Sequence, residues 1–577
     1  MQSSACPPGN VTKRNGRNVA SVKDNKQLDA EEAQHLGEHP LSPPADEFDV
    51  IVVGAGWAGL YAIYELRRRG HSVYGFEAGA GVGGAWYHNR YPGARCDVES
   101  LEYSFSFDEG LQQEWHWTET YARQPEIRAY MNHVANRFEL RRSIQLNTFV
   151  KSAVWDEEAD RWTVTASTGD VVRARYVLLG VGGLSTILKP QIPGYDSFAG
   201  QIYFTANWPS EPVDFTGKRV GVIGTGSSGV QSIPVIAETA KHLTVFQRTP
   251  NYVMPSASAP MDPDYEAEWK AHYAEKRAFA RHQSSNGINQ PVIQRKTMDT
   301  PPEERERIYQ ELWDRGGLWI LRSFSDILTD PEANKQAGAF VERKIADIVK
   351  DPKTAQLLTP KGYYFATKRL CTGTGYYETF NRDNVSLVDV GRDTGGIHRI
   401  EPGGIVTDEG LTELDIIVFA TGFDAVTGSF TAIDIHGVGG RTLKDHWKDG
   451  AKTYLGMFAA GFPNLFLIGA PGNPGSVGNA VVALEMNIEW IAQLLDKVRA
   501  EGARRLEAEP AAEESWSEHV SELGWKTLYP TNPNSWYVGA NVPGKKRQFL
   551  PYVGGFSRYD KEISEVAARG YEGISID

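Results

Sequence analysis

Two glycine-rich loops carry the residues with the clearest chemistry in this chain. In the first, Gly54, Gly56 and Gly59 follow the G-x-G-x-x-G spacing, and Glu77 closes the next strand-like run. Glycines so placed let the chain turn tightly, bring backbone N–H groups up to a pyrophosphate and seat a helix against a strand; a carboxylate further on accepts hydrogen bonds from ribose hydroxyls. The second loop, Gly224, Thr225, Gly226, Ser227, Ser228 and Gly229, repeats the pattern, but Arg248 and Thr249 stand where the acid would be. A cation there pairs with a 2′-phosphate, so the loops predict FAD at the first and NADPH at the second. Two such sites imply hydride transfer between cofactors that the protein orients. A disulfide reductase of this plan needs a redox cysteine pair, and Cys6, Cys96 and Cys371 are far apart, which leaves oxygen as the acceptor.

The loops must lie between strands and helices. "FDVIVVGAGWAGLYAIYELRRRGHSVYGFEA" passes from a β-branched run through the turn into an amphipathic helix and a second strand, and "KRVGVIGTGSSGVQSIPVIAETAKHLTVFQRT" repeats that order. The expected fold class is α/β, with two Rossmann-like dinucleotide-binding domains and a helical insertion. The insertion is the charged, strand-poor stretch of residues 253–364. The FAD domain is expected over 47–180 and 400–577, and the NADPH domain over 181–252 and 365–399. Residues 1–46 read as a disordered tail, because their polar composition cannot bury enough surface to order them. "NAVVALEMNIEWIAQLLDKVRA" reads as a long amphipathic helix.

The chain of 577 residues, 41% hydrophobic, can fill more than one core. A net charge of −13 without a basic run excludes a nucleic-acid partner. The longest uncharged apolar stretch, residues 50–64, is too short for a membrane span, and the N-terminus lacks the apolar core of a signal peptide. Three scattered cysteines give neither a disulfide framework nor a metal site and predict a reducing, cytoplasmic setting.

Residues 83–97, "GGAWYHNRYPGARCD", resemble a signature of the type I Baeyer–Villiger monooxygenases, enzymes that use FAD, NADPH and O2 to turn ketones into esters or lactones through a flavin peroxide. The likeness extends from about residue 48 to the C-terminus and is strongest to the phenylacetone and steroid monooxygenase branch. It implies that Arg369 is the active-site arginine that stabilises negative charge, and that Asp97 positions it. Gly84, Trp86 and Arg95 come with the same signature as cofactor-side residues. By the same resemblance Lys368 lies near the 2′-phosphate, Trp536 sits on a loop that contacts NADPH, Tyr103 lies near the flavin, and Gln124 is a cofactor-side position. Asn473, Gly475, Ser476, Val477 and Ala480 align with a substrate-lining loop. Its small residues, Gly478 among them, predict a roomy pocket for bulky or cyclic ketones.

A second family signature is met by Phe198, Gly200, Trp208 and Pro209, in a segment expected to link the two cofactor domains. Phe204 departs from it, since the family has histidine there, and a phenyl ring cannot make an imidazole's hydrogen bonds. This departure keeps open an NADPH oxidase that releases peroxide, beside a sulfur- or nitrogen-oxygenating flavin monooxygenase and a silent flavoprotein that only binds partners. Arg369 with Asp97 favours the ketone chemistry, because soft nucleophiles need no clamp for an oxyanion.

Overall fold

The computed structural model describes residues 23–391, 395–532, 534–540, 542 and 544–577. The β-branched run at Glu47–Val53 forms a central strand, parallel to Val73–Phe76 on one side and to Val171–Leu179 on the other. These belong to an eight-stranded sheet that also holds Leu465–Leu467 and Asp434–His436 from the far end of the chain. A second sheet has five strands, all parallel, in the order Val385–Asp389, His242–Gln247, Arg219–Ile223, Ile416–Phe419, Gln201–Phe204. Each sheet receives one glycine loop at the C-terminal end of a central strand, where ligands of open α/β sheets bind.

Three expectations change. Residues 25–35, assigned above to a disordered tail, form the helix Asn25–His35 with a capping box between Asp24 and Gln27. Its order comes from distant partners: Asp29 pairs with Arg90 at 2.8 Å and Arg128 at 2.6 Å, and Glu32 pairs with buried Arg141. Residues 1–22 of that tail lie outside the described residues. The strand Ile416–Phe419 belongs to the second sheet, between Arg219–Ile223 and Gln201–Phe204, so residues 400–419 do not return to the first domain.

The segment expected to be a linker is also part of the second sheet. Phe204 ends its edge strand and stacks on Phe419, with ring centroids 5.1 Å apart and planes 18° from parallel. Trp208 is buried against Tyr203 and Phe215, and Pro209 is half-buried. The phenyl ring at 204 therefore has an aromatic neighbour that an imidazole would meet less well.

Five helices occupy the insertion, and they divide between two cores. Trp269 and Tyr273 join the core of the first sheet, whereas Ile308, Tyr309, Phe340 and Val341 join that of the second. The long helix Ala480–Glu501 is capped by Asn479 at its start and by left-handed Gly502 at its end. No helix among the described residues is long and apolar enough to cross a membrane.

Three buried carboxyls set a pH dependence of stability. Burial, reinforced by Glu99, pushes Glu102 up to about 8; burial pushes Glu126 and Glu485 up to about 7. A carboxyl whose folded value is raised stays protonated in the fold while the unfolded chain ionises above about 4.5, so its stabilisation is lost as pH rises through the folded value. Each group costs up to about 1.4 kcal/mol per pH unit in that window. Burial of His71 acts in the opposite sense, so a comparison with a variant isolates the effect. Glu102→Gln, which can still accept from the Asn289 N–H, is expected to melt a few degrees above the parent at pH 8 and close to it at pH 5.5. A melting-temperature gap that does not grow with pH would contradict this origin.

Candidate active site

At the first loop, Gly54 has φ +99°, and a Cβ there would stand 2.6 Å from Gly180 O. The helix Trp57–Arg68 starts at once, and a Cβ on Gly59 would overlap Gly54 O. Gly84, from the signature segment, closes on the same place: a Cβ on it would lie 2.8 Å from Gly56 Cα. Glu77 is buried at the end of Val73–Phe76, its Oε2 accepting from Ala55 N at 2.6 Å and its Oε1 from Gly79 N at 2.7 Å. Those bonds aim the carboxylate along the loop and leave lone pairs for ribose hydroxyls. A side-chain-free cradle at a helix N-terminus, with a fixed carboxylate beyond it, fits the pyrophosphate and ribose of FAD.

The second loop repeats this packing. Gly224 has φ +110°, with Ala420 O 2.5 Å from where a Cβ would be, and a Cβ on Gly229 would overlap Gly224 O. Gly226 differs, because nothing lies within 4 Å of its missing Cβ; the loop is open there. Thr225 Oγ1 donates to Thr249 O at 3.1 Å, Ser228 Oγ meets Thr205 Oγ1 at 3.0 Å, and Ser227 Oγ meets Cys371 Sγ at 3.5 Å. Arg248 is exposed and half-buried Lys368 lies within its field, with no carboxylate within 4 Å of either among the described residues. Burial, and then the charge of Arg248, hold Lys368 down to about 8. Two cations without a carboxylate fit a phosphate dianion.

That geometry sets a test of cofactor choice. Arg248→Gln is expected to reduce the preference for NADPH over NADH about 10- to 100-fold, the worth of a charge-assisted contact. In the parent, KM for NADPH should rise as pH passes 8 and Lys368 loses its proton; in the variant that rise should move to higher pH. Steady-state KM values from pH 7 to 9 decide it, and an unchanged preference would remove Arg248 from the site.

Residues 83–97 tie the two cofactor domains together. Tyr91 donates to Gln231 Oε1 at 2.9 Å, Gln231 Nε2 donates to Arg95 O at 3.0 Å, and Gly93, at φ +83°, lies against Gln231 O with no room for a Cβ. Gln231 belongs to the second-loop helix Ser227–Thr239. The Arg95 guanidinium is held by Glu119 Oε2 at 2.5 Å and Tyr121 O at 2.7 Å, so it anchors the segment.

Asp97 ends the segment and meets Arg369. Nη2 of Arg369 donates to Asp97 Oδ2 at 2.7 Å and Nε to the same oxygen at 3.2 Å, and both side chains remain about a quarter exposed, at 24% and 25%. Buried Tyr537 lies within the field of Arg369. Burial works against the guanidinium's charge, but Asp97, with Tyr537, outweighs it and holds the pKa above the ordinary arginine range. The result is a fixed cation, open on one side, on the chain that leads from the second-loop side to Asp97 on the first.

The remaining positions divide. Trp86 Nε1 donates to Tyr103 OH at 3.1 Å, which brings those two together. Gln124 is 1% exposed and its amide is committed to Trp86 O and Asn25, so it braces the segment and has no N–H left for a ligand. Trp536 stacks obliquely on Tyr537, 4.2 Å between centroids, which sets it beside the arginine. Val477 packs with the Tyr537 and Val538 cluster, so residues 473–480 border the same region, with Ser476 half-buried and Ala480 opening the helix Ala480–Glu501.

The roominess read from that loop is not observed. A Cβ on Gly478 would overlap Asn286 O, and one on Gly475 would sit 3.0 Å from Asn473 Oδ1, so both glycines serve close packing. Asn473 is buried and structural, donating to Asn487 Oδ1 at 2.6 Å and capping Gly475 N at 2.8 Å. Sequence reasoning missed Tyr537 and Gln231; the aromatic run "SWYVG" offered a signal for the first, and nothing distinguished the second.

The chain is similar along most of its length to known proteins. The family model for pyridine nucleotide-disulphide oxidoreductases matches residues 51–300. A Baeyer–Villiger monooxygenase of Pseudooceanicola batsensis is 42% identical over 536 residues, 92% of this chain and 96% of that protein. A solved structure of oxidized steroid monooxygenase bound to NADP is 50% identical with a TM-score of 0.88, covering 92% of this chain and 99% of that one. A structure of OTEMO in complex with FAD and NADP is 39% identical with a TM-score of 0.88, covering 93% and 100%.

Proposed function

We infer the activity from the premise that this chain belongs to the Baeyer–Villiger monooxygenases: it is an FAD- and NADPH-dependent enzyme that uses O2 to convert a ketone to an ester or lactone. The observation that carries the reading to particular residues is the Arg369–Asp97 pair, whose Asp97 ends the segment that packs on Gly56 of the first loop and on Gln231 of the second-loop helix. Bound FAD and NADPH would supply activated oxygen; the protein's share is to hold charge and geometry.

Arg369 keeps its charge at any working pH and faces the place where the carbonyl oxygen of the ketone gains negative charge. Asp97 takes two N–H groups of that guanidinium and so fixes its plane, while Tyr537 closes the buried side. The Gln231 clasp on residues 91–95 keeps Asp97 in register with the second domain. Arg248 and Lys368 select NADPH. The substrate class we assign is bulky or cyclic ketones, supported by the likeness to a steroid monooxygenase and not by glycine-made space. A reducing, cytoplasmic setting belongs to the same proposal, supported by the free, buried thiols of Cys96 and Cys371.

Phe204 bears on the oxidase alternative. Its ring is spent on Phe419 within a strand, and its neighbour Thr205 still contacts Ser228 of the second loop, so the substitution is absorbed by packing. The experiment follows NADPH, hydrogen peroxide and ester or lactone together, with holoenzyme, air and a panel of cyclic and aryl ketones. Product equal to NADPH consumed is expected for the preferred ketone. Peroxide equal to NADPH across the whole panel would make the protein an oxidase.

A further inference from the structure

We propose that Arg322 is a recognition site for a carboxylate on the ketone, so that the preferred substrates are keto acids. This rests on the reading of the chain as a ketone monooxygenase and adds the chemical class of its substrate. Arg322 ends the short turn Trp319–Arg322 in the helical insertion and is 8% exposed. Its Nη1 donates to Ser285 Oγ at 2.7 Å, its Nε is sealed from solvent without a partner, and no carboxylate lies within 4 Å among the described residues. The other buried arginines among the described residues are treated otherwise: Arg90 and Arg128 hold Asp29, and Arg141 holds Glu32. A buried guanidinium left without an anion is costly, and it marks a place where an anion is supplied from outside.

Its position points to the substrate. Ser285, which takes the one hydrogen bond, precedes Asn286, whose carbonyl accepts from Asn479 N at 2.8 Å and touches Gly478, in the loop that borders Arg369. On the other side Tyr529 lies within the fields of both Arg322 and Arg369, and its ring meets Tyr537 edge-on at 5.2 Å. Two arginines thus flank one region, Arg369 neutralised by Asp97 and Arg322 not. The charged groups facing Arg322 are few. Tyr529 is held neutral by burial, and Glu102, pushed up to about 8, is mostly protonated at neutral pH, so neither cancels the cation. Burial lowers Arg322 itself only to about 10, so it is charged when substrate arrives.

The test compares one ketone in two charge states: a cyclohexanone with a propanoate arm beside the carbonyl, and its methyl ester. In the parent holoenzyme the acid is expected to exceed the ester in kcat/KM by about tenfold. Arg322→Met is expected to lower kcat/KM for the acid about 30-fold, mainly through KM, and to leave the ester within about twofold, as loss of one charge-assisted contact requires. Arg322→Lys, which keeps the charge, should retain the preference for the acid. Binding of the unreactive hydroxy acid, followed by tryptophan fluorescence, should weaken in step. Equal losses for acid and ester would make Arg322 structural, and a raised KM for NADPH in place of the acid effect would assign the anion to the cofactor; either overturns the proposal. Conversion of unsubstituted cyclohexanone with neither test ketone accepted also overturns it. Failure with every ketone instead overturns the parent reading.

Discussion

Arg369→Met is expected to cut ketone oxygenation about 10³-fold while NADPH still bleaches the flavin at a rate within about tenfold of the parent. The split follows from where the residue acts. We assign NADPH binding to the second loop, Arg248 and Lys368, none of which depends on the Arg369 side chain for a hydrogen bond. We assign the ketone side to the cation of Arg369, which Asp97 grips through two N–H groups. Methionine fills the volume and leaves Asp97 without its counter-ion, so Arg369→Met with Asp97→Asn separates the loss of charge from the strain of an unpaired carboxylate. Stopped-flow reduction and product analysis on the same preparations measure both halves. Equal losses in reduction and oxygenation would mean that the pair is only a strut.

Gly59→Ala is expected to leave less than about a tenth of the protein with bound flavin. The added methyl overlaps Gly54 O, a backbone atom in the turn itself, so relief requires the helix Trp57–Arg68 to lift from its strand, and overpacking of this kind costs about 1–3 kcal/mol or more. Gly226→Ala is the control, because nothing lies within 4 Å of the added carbon; it should keep flavin and alter only NADPH binding. Flavin absorbance per protein and the melting temperature report the outcome. Full flavin content in Gly59→Ala would show that the first loop is not the cradle.

Much of this site was readable in the chain because it is local. Both glycine loops fall on strand–turn–helix units whose order is written in consecutive residues, and Glu77 and Arg248 end the strands that follow. Arg369 and Asp97 were paired through resemblance, since 272 residues separate them and no periodicity links them. What escaped was order supplied from far away. The helix Asn25–His35 has too little apolar surface to announce itself, and it is fixed by Arg90, Arg128 and Arg141. Ile416–Phe419 is an ordinary apolar run whose place in the second sheet depends on a parallel neighbour at Gln201–Phe204. Gly475 and Gly478 read as open space because a sequence shows a missing side chain and not the neighbours that occupy its place, Asn473 Oδ1 at Gly475 and the Asn286 carbonyl at Gly478. Phe204 read as a loss for the same reason, with Phe419 hidden from view.

The most direct measurement is turnover of the preferred ketone under heavy-isotope O2, with mass analysis of the ester or lactone. One heavy oxygen atom per product molecule is expected, in the parent enzyme and in whatever residual product Arg369→Met forms. Product that carries only the oxygen of water or of the starting ketone, or heavy oxygen recovered solely as hydrogen peroxide, would contradict it.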